Sequence, residues 1–403
     1  MTGNSSIPSL SPTLVTVFAA ACVMVVANIH YAQPLTALIS CSLGLHASLT
    51  GFVVTLTQLG YGAGLILLVS LADLVENRRL IWSALVAVSL VTVAYAPSVP
   101  MFFAASFSVG FFSVAAQILV PFAAHLAEPV QRGRVVGNVM GGLLAGVMLS
   151  RPVSSLIADA FGWRAVFATS AALMIVLTLI LIRALPQRRP APGMHYGQIL
   201  GSLWHLLRDT PLLRRRAVYQ GMLFAAFNLF WTGIPLALAG SRFGFTQRGI
   251  ALFALAGAAG ALAAPVAGRL ADREHTRPVT GTAMAMVVGA LLSTVAAYGL
   301  GSVGLLVVAA VVLDAGVQTN QVLSLRSIYA LPGEVRGRLN ALFMTSVFLC
   351  GATGSALAGW SFFYGGWRLT ASIGAGLGVI ALALYATEFR EQYSSEHQRA
   401  HLT

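Results

Sequence analysis

Apolar runs of membrane-spanning length follow one another along almost the whole chain, and they limit what it can fold into more than any single residue does. A helix crosses the ~30 Å hydrocarbon layer in about 20 residues. By that rule the first half offers Leu14–Ile39, Thr50–Leu71, Leu80–Ala96, Met101–Ala124, Val135–Ala158 and Ala165–Ile182. The second half offers Ala217–Ala239, Ile250–Ala271, Val279–Tyr298, Val303–Leu325, Leu339–Phe362 and Leu369–Thr387. Only 9% of the 403 residues are charged and 57% are hydrophobic, whereas a soluble domain carries about 25% charged residues. Folded in water, such a chain would expose far too much apolar surface. The sequence therefore predicts an all-α integral membrane protein.

The formal charge of +12 is carried by arginine alone. In a soluble protein that excess would suggest nucleic acid; here the arginines gather at span ends and mark the inward loops. With both termini cytoplasmic, only Arg164, Arg242, Arg248 and Arg368 fall on outward loops, and Arg151 lies within a span. The expected divisions are a tail over 1–13, a six-helix bundle over 14–182, a basic linker over 183–216, a second six-helix bundle over 217–388 and a tail over 389–403. Within the linker, Tyr196–Arg208 places Ile199, Leu203, Leu206 and Leu207 on one helical face, as in a helix lying on a membrane surface. The linker is read as a tether without substrate chemistry. The three cysteines, Cys22, Cys41 and Cys350, have no metal-ligand spacing, and no disulfide is argued from them. Ala19-Ala20-Ala21-Cys22 lacks a preceding basic region and is read as part of an uncleaved first helix.

The halves repeat. Asn28 and Pro34 recur as Asn228 and Pro235, Asp73 as Asp272, Gln117 as Gln321, Arg132-Gly133-Arg134 as Arg336-Gly337-Arg338, and Gly162-Trp163-Arg164 as Gly366-Trp367-Arg368. The order is kept and the offset is nearly constant. Six spans return the chain to the side it started from, so these are parallel repeats about an axis along the membrane normal. The expected fold is twelve transmembrane helices in two pseudo-symmetric six-helix bundles.

Gly268-Arg269-Leu270-Ala271-Asp272-Arg273, together with Asp73 and the pair Arg78-Arg79 in the first half, resembles the loop signature of the major facilitator superfamily, and of its bacterial drug and metabolite efflux branch in particular. The resemblance covers essentially the whole chain. It implies that Asp73, Arg78, Arg79, Gly268, Asp272 and Arg273 form a conformational latch on the inner side, the aspartates accepting bonds from arginines or a helix N-terminus. The first-half loop lacks the leading glycine and the basic residue after Asp73. Where the family carries an intramembrane arginine in its fourth span, this chain has Ser106, so that role is not transferred. The antiporter motif of the fifth span survives as a small-residue face with Gly142, Gly146 and Ser150 ahead of Arg151 and Pro152, which permits close helix packing.

Ionisable groups deep in a membrane cost about 2.5–3.5 kcal/mol each on insertion scales and are functional suspects by default. Here they are His30, Arg151 and Asp314, the candidates for proton coupling. Asp314, Gln318 and Gln321 fall at i, i+4 and i+7 on one stripe. The resemblance implies that spans 1, 4, 7 and 10 line the substrate path, with Asn28, Tyr31, Gln117, Asn228, Trp231, Gln318 and Gln321 facing it. Plainer roles stand beside these: interhelical bonding for the amides, interface positions for Tyr31 and Trp231, a carbonyl-bonded core position for His30, and helix kinks for Pro34 and Pro235. Asp314 is open to three readings: a proton carrier, a static partner of Arg151, or a partner released as the carrier rocks.

The resemblance implies a secondary transporter working by alternating access. The expectation is proton-driven export of a small organic solute by a monomer in a bacterial inner membrane, with protons and lipid as further partners. No cofactor, metal, nucleic acid or enzymatic activity is expected: the sequence has no Walker-type phosphate loop and no His-Glu-x-x-His or Gly-x-Ser-x-Gly. A proton-coupled importer, and a sensor that keeps the fold without transport, are the alternatives.

Overall fold

The computed structural model describes residues 12–69, 88, 95–96, 98–128, 131–184, 196–262, 276–331 and 335–400, and among them the regular structure is helical. Nine of the described helical runs are long and apolar enough to cross a membrane. One of them, Arg336–Glu388, carries two of the expected spans, divided at Gly366, where φ is 58°. Most of Leu80–Ala96 and the end of Ile250–Ala271 lie outside the described residues. So do the latch candidates Asp73, Arg78, Arg79, Gly268, Asp272 and Arg273.

One compact unit comprises Met1–Leu35 and Leu56–Ser202. Its helices are α1 (Pro12–His30), α3 (Phe52–Gly64) from Leu56 onward, α4 (Val99–Phe112), α5 (Ala115–Leu126), α6 (Arg132–Phe161) and α7 (Trp163–Ala184); α2 (Thr36–Leu43) follows α1 in the chain but packs elsewhere. Phe18, Cys22 and Val25 of α1 meet Leu119 and Phe122 of α5 and Met174 and Leu177 of α7 in its core. The α1–α6 crossing is tight because Gly142 and Gly146 present no side chain: a Cβ on Gly146 would stand 2.6 Å from the Val23 carbonyl oxygen. Between α4 and α5 the helix is interrupted at Ser113–Val114. There the Ser113 hydroxyl donates to the Val109 carbonyl at 2.6 Å, the back-bonding that bends helices.

The other compact unit comprises Thr36–Thr55 and Leu203–Thr403. It holds α2, the second half of α8 (Tyr196–Asp209), α9 (Pro211–Ala239), α10 (Gln247–Ala258), α11 (Thr276–Leu300), α12 (Val303–Tyr329) and α13 (Arg336–Ala400). The amphipathic face of α8 is as spaced in the sequence: Ile199 and Leu203 are buried and Trp204 is exposed. Because α9 starts at Pro211, Arg214–Arg216 lie on the helix, and Arg216 is buried. Its guanidinium donates to Thr280 Oγ1 at 3.4 Å.

The repeat shows in local geometry. Gly162 and Gly366 both take positive φ, 81° and 58°, where side chains with a Cβ are strained, and Trp163 and Trp367, the residues that follow, are both buried. The two prolines behave differently. Pro34 sits in a 3-10 turn, Gln33–Leu35, between α1 and α2. Pro235 stays within the continuous helix α9.

Candidate functional site

In the first unit the deep polar groups meet in small local sets, the first around Arg151 and the second around Asn28. Gln33, lifted off the helix by the break before Pro34, is fully buried, and its Oε1 accepts from Arg151 Nε at 2.7 Å. His30, one turn earlier, is buried beside both, with its side chain bonded to Gln33. A guanidinium taken out of water needs its donors met, and the helix break supplies an acceptor at the right level. Arg151, with His30, is thus held by an amide. In the second cluster Asn28 Oδ1 accepts from Ser170 Oγ of α7 at 2.5 Å; its Nδ2 is buried and has no hydrogen-bond partner. Gln117 Nε2 donates to the hydroxyl of the buried Tyr61 at 3.2 Å. Gln117 and Tyr31 are themselves half-buried. Ser106, at the fourth-span position where the family carries an arginine, is buried and meets the Tyr95 hydroxyl at 3.2 Å. Tyr95 in turn stacks on Phe167 at 4.1 Å, so the position is filled by aromatic packing.

In the second unit Asp314 Oδ1 accepts from the indole Nε1–H of Trp231 at 2.8 Å. Both residues are buried, 4% and 2% exposed. The helix α10 and the turn after it close over the pair: a Cβ on Gly257 would stand 2.7 Å from Trp231 Cη2, and one on Gly260 would stand 2.6 Å from Asp314 Cβ. Phe230 and Phe253 flank the indole, with ring centroids at 5.3 and 6.1 Å. Asn228, one turn before Trp231, is buried and donates to the Phe224 carbonyl of its own helix at 2.9 Å.

Further along α12 an amide ladder links the two helices. Asn320 Nδ2 donates to Gln220 Oε1 at 2.7 Å, and Gln220 Nε2 donates to Gln321 Oε1 at 3.4 Å. Gln220 and Asn320 are buried, while Gln318 and Gln321 are half-buried. Sequence reasoning passed over Gln33, Gln220 and Asn320. The signal available was their polarity inside apolar runs; Gln220 also stands two turns before Asn228 on α9.

Membrane-length helices with their few polar side chains gathered within the spans define a polytopic membrane carrier. A family model described as Major Facilitator Superfamily matches residues 13–317. The uncharacterized transporter YgaY of Escherichia coli O157:H7 is 40% identical over 386 residues, which cover 95% of this chain and 97% of that one. The probable transporter SCO4007 of Streptomyces coelicolor is 33% identical over 351 residues, 85% of this chain and 79% of its own. Among solved structures, the nucleoside transporter NupG superposes with a TM-score of 0.74 at 14% identity, covering 93% of this chain and 100% of that one. The chain belongs to the major facilitator superfamily and is a multi-pass membrane transporter of that type.

Proposed function

We propose that this transporter exports a small organic solute in exchange for protons, by alternating access, from a bacterial inner membrane with both chain termini in the cytoplasm. Asp314 is the proton-carrying group. The observation that carries this reading is the placing of an acid within α12, buried and bonded to Trp231, at the head of the half-buried stripe formed by Gln318 and Gln321. An acid kept at such a depth is costly and marks ion or substrate pathways. Tyr31, Gln117, Gln318 and Gln321 offer amides and a phenol to the solute. With so few charges a polyanion is disfavoured, and a neutral or singly charged organic molecule suits the set. The latch assigned to Asp73, Arg78, Arg79, Gly268, Asp272 and Arg273 belongs to the same proposal, as does the monomeric state.

The test begins with a thermal-shift screen of the purified protein against metabolites and drugs, since a ligand that binds the folded state raises its melting temperature. A hit is then followed in proteoliposomes under an imposed pH gradient. Gradient-driven accumulation by the parent and its loss in Asp314→Asn support the reading. Undiminished gradient-driven transport by Asp314→Asn ends the proton role, and accumulation in the opposite sense makes the protein an importer.

A further inference from the structure

We infer that Trp231 is a positioning residue for Asp314: its indole N–H holds one carboxyl oxygen, and Gly257 and Gly260 let α10 close over the pair, so that the acid exchanges its proton only through the other oxygen and only when this cover shifts. The inference rests on the reading of Asp314 as the proton-carrying group and deepens it. An indole Nε1–H is a donor and never an acceptor. Its 2.8 Å bond therefore commits Oδ1 to accepting in either protonation state of the acid, and the exchanging proton belongs on Oδ2.

Three elements meet at the pair. Trp231 comes from α9, Asp314 from α12, and Gly257 with Gly260 from α10 and the 3-10 turn that follows it. The close approach depends on both glycines. A methyl group at Gly257 would press on the far edge of the indole, and one at Gly260 on the Asp314 side chain and the α12 backbone. A relative movement of α10 thus acts on the donor and on the acid together. Among the described residues, the other charged positions on these elements lie farther along their own helices. Arg248 is nine residues from Gly257 and Arg326 is twelve from Asp314, about 14 and 18 Å at the helical rise; Arg216 is fifteen residues from Trp231, about 22 Å. The ends of the neighbouring helices bring Arg277 on α11 and Arg336, Arg338, Arg368 and Glu388 on α13.

The test uses dicyclohexylcarbodiimide, an apolar reagent that adds to a protonated carboxyl inside a membrane. The probe is applied to the full-length protein in liposomes at one fixed pH, and the modified Asp314 peptide is quantified by mass spectrometry. The parent is expected to label slowly and Asp314→Asn not at all. Trp231→Phe keeps a ring in place but removes the donor, and it is expected to label about tenfold faster, the size of effect a hydrogen bond to a charged group carries. Gly257→Ala keeps the indole but displaces it, and it is expected to accelerate labelling as well; it serves in place of Trp231→Phe if that variant does not fold. Equal rates in the parent and in both variants overturn the positioning role and leave the proton role standing. Absence of labelling in parent and variants alike, when the same peptide labels after unfolding in detergent, overturns both.

Discussion

The bond between Arg151 and Gln33 sets a stability test that does not depend on any substrate. Replacing Gln33 with leucine keeps the side-chain volume and removes the acceptor of Arg151 Nε. Gln33 is fully buried and Arg151 is 2% exposed, so water does not take the acceptor's place. Leaving a charged donor short of a partner costs about 1.5–3 kcal/mol. For a unit of this size each kcal/mol moves the melting temperature by about 2–4 °C, so the variant is expected to melt about 3–12 °C below the parent. Cys22 makes a convenient reporter, because it lies at 0% exposure in the core of the same unit. With Cys41 and Cys350 changed to serine, a thiol-reactive dye reads the opening of that core alone as temperature rises. Arg151→Met with Gln33→Leu completes a double-mutant cycle and is expected to recover at least 1 kcal/mol relative to the sum of the single changes. A single Gln33→Leu variant melting within a degree of the parent, or strict additivity in the cycle, refutes the argument that the helix break exists to meet this guanidinium.

Three further outcomes are expected. Gly142→Leu forces a side chain into the Ala19 backbone at the α1–α6 crossing, whereas Gly141→Ala on the same helix meets open space; the first is expected to lower the yield of monodisperse protein severalfold, and the second to leave size-exclusion profiles unchanged. Gly366→Ala, at φ 58° and ψ −158°, is expected to lower stability by about 1–3 kcal/mol, read as a fall of a few degrees or more in melting temperature, with glycine restored at the site as the control. Neutral residues at Arg188 and Arg189 are expected to leave transport intact in correctly inserted protein; a loss of transport there would give the linker a part in the chemistry.

Hydropathy and spacing were enough to place the spans that fall on described residues and the amphipathic helix of Tyr196–Asp209. These features depend on local composition and on helical period, which the sequence carries directly. The repeat was legible for the same reason, down to the glycines at 162 and 366 that share a positive φ. The partners were not. That Asp314 meets Trp231, that Gln33 meets Arg151, and that Gln220 bridges Asn320 and Gln321 all depend on how far each helix is rotated and where it crosses its neighbour. Polar residues in an apolar run announce that a partner exists and leave its identity open. The packing of Thr36–Thr55 with the second half is likewise a matter of tertiary geometry, since its apolar character fits any helical surface nearby.

The unequal fate of two repeated prolines bears on how a duplicated chain becomes a machine with unlike parts. Around Pro235 the helix runs through unbroken, a single beam. Around Pro34 it is cut into two rods joined by the short turn Gln33–Leu35, and the border between the compact units falls at the end of that turn. A beam transmits rotation along its whole length. A break changes the direction of the chain within a few dihedral angles, and here the turn is tied to its own unit by the Arg151 bond to Gln33. Duplication supplied the same proline twice, and the helix is broken at only one of the copies, beside the glutamine that the arginine holds.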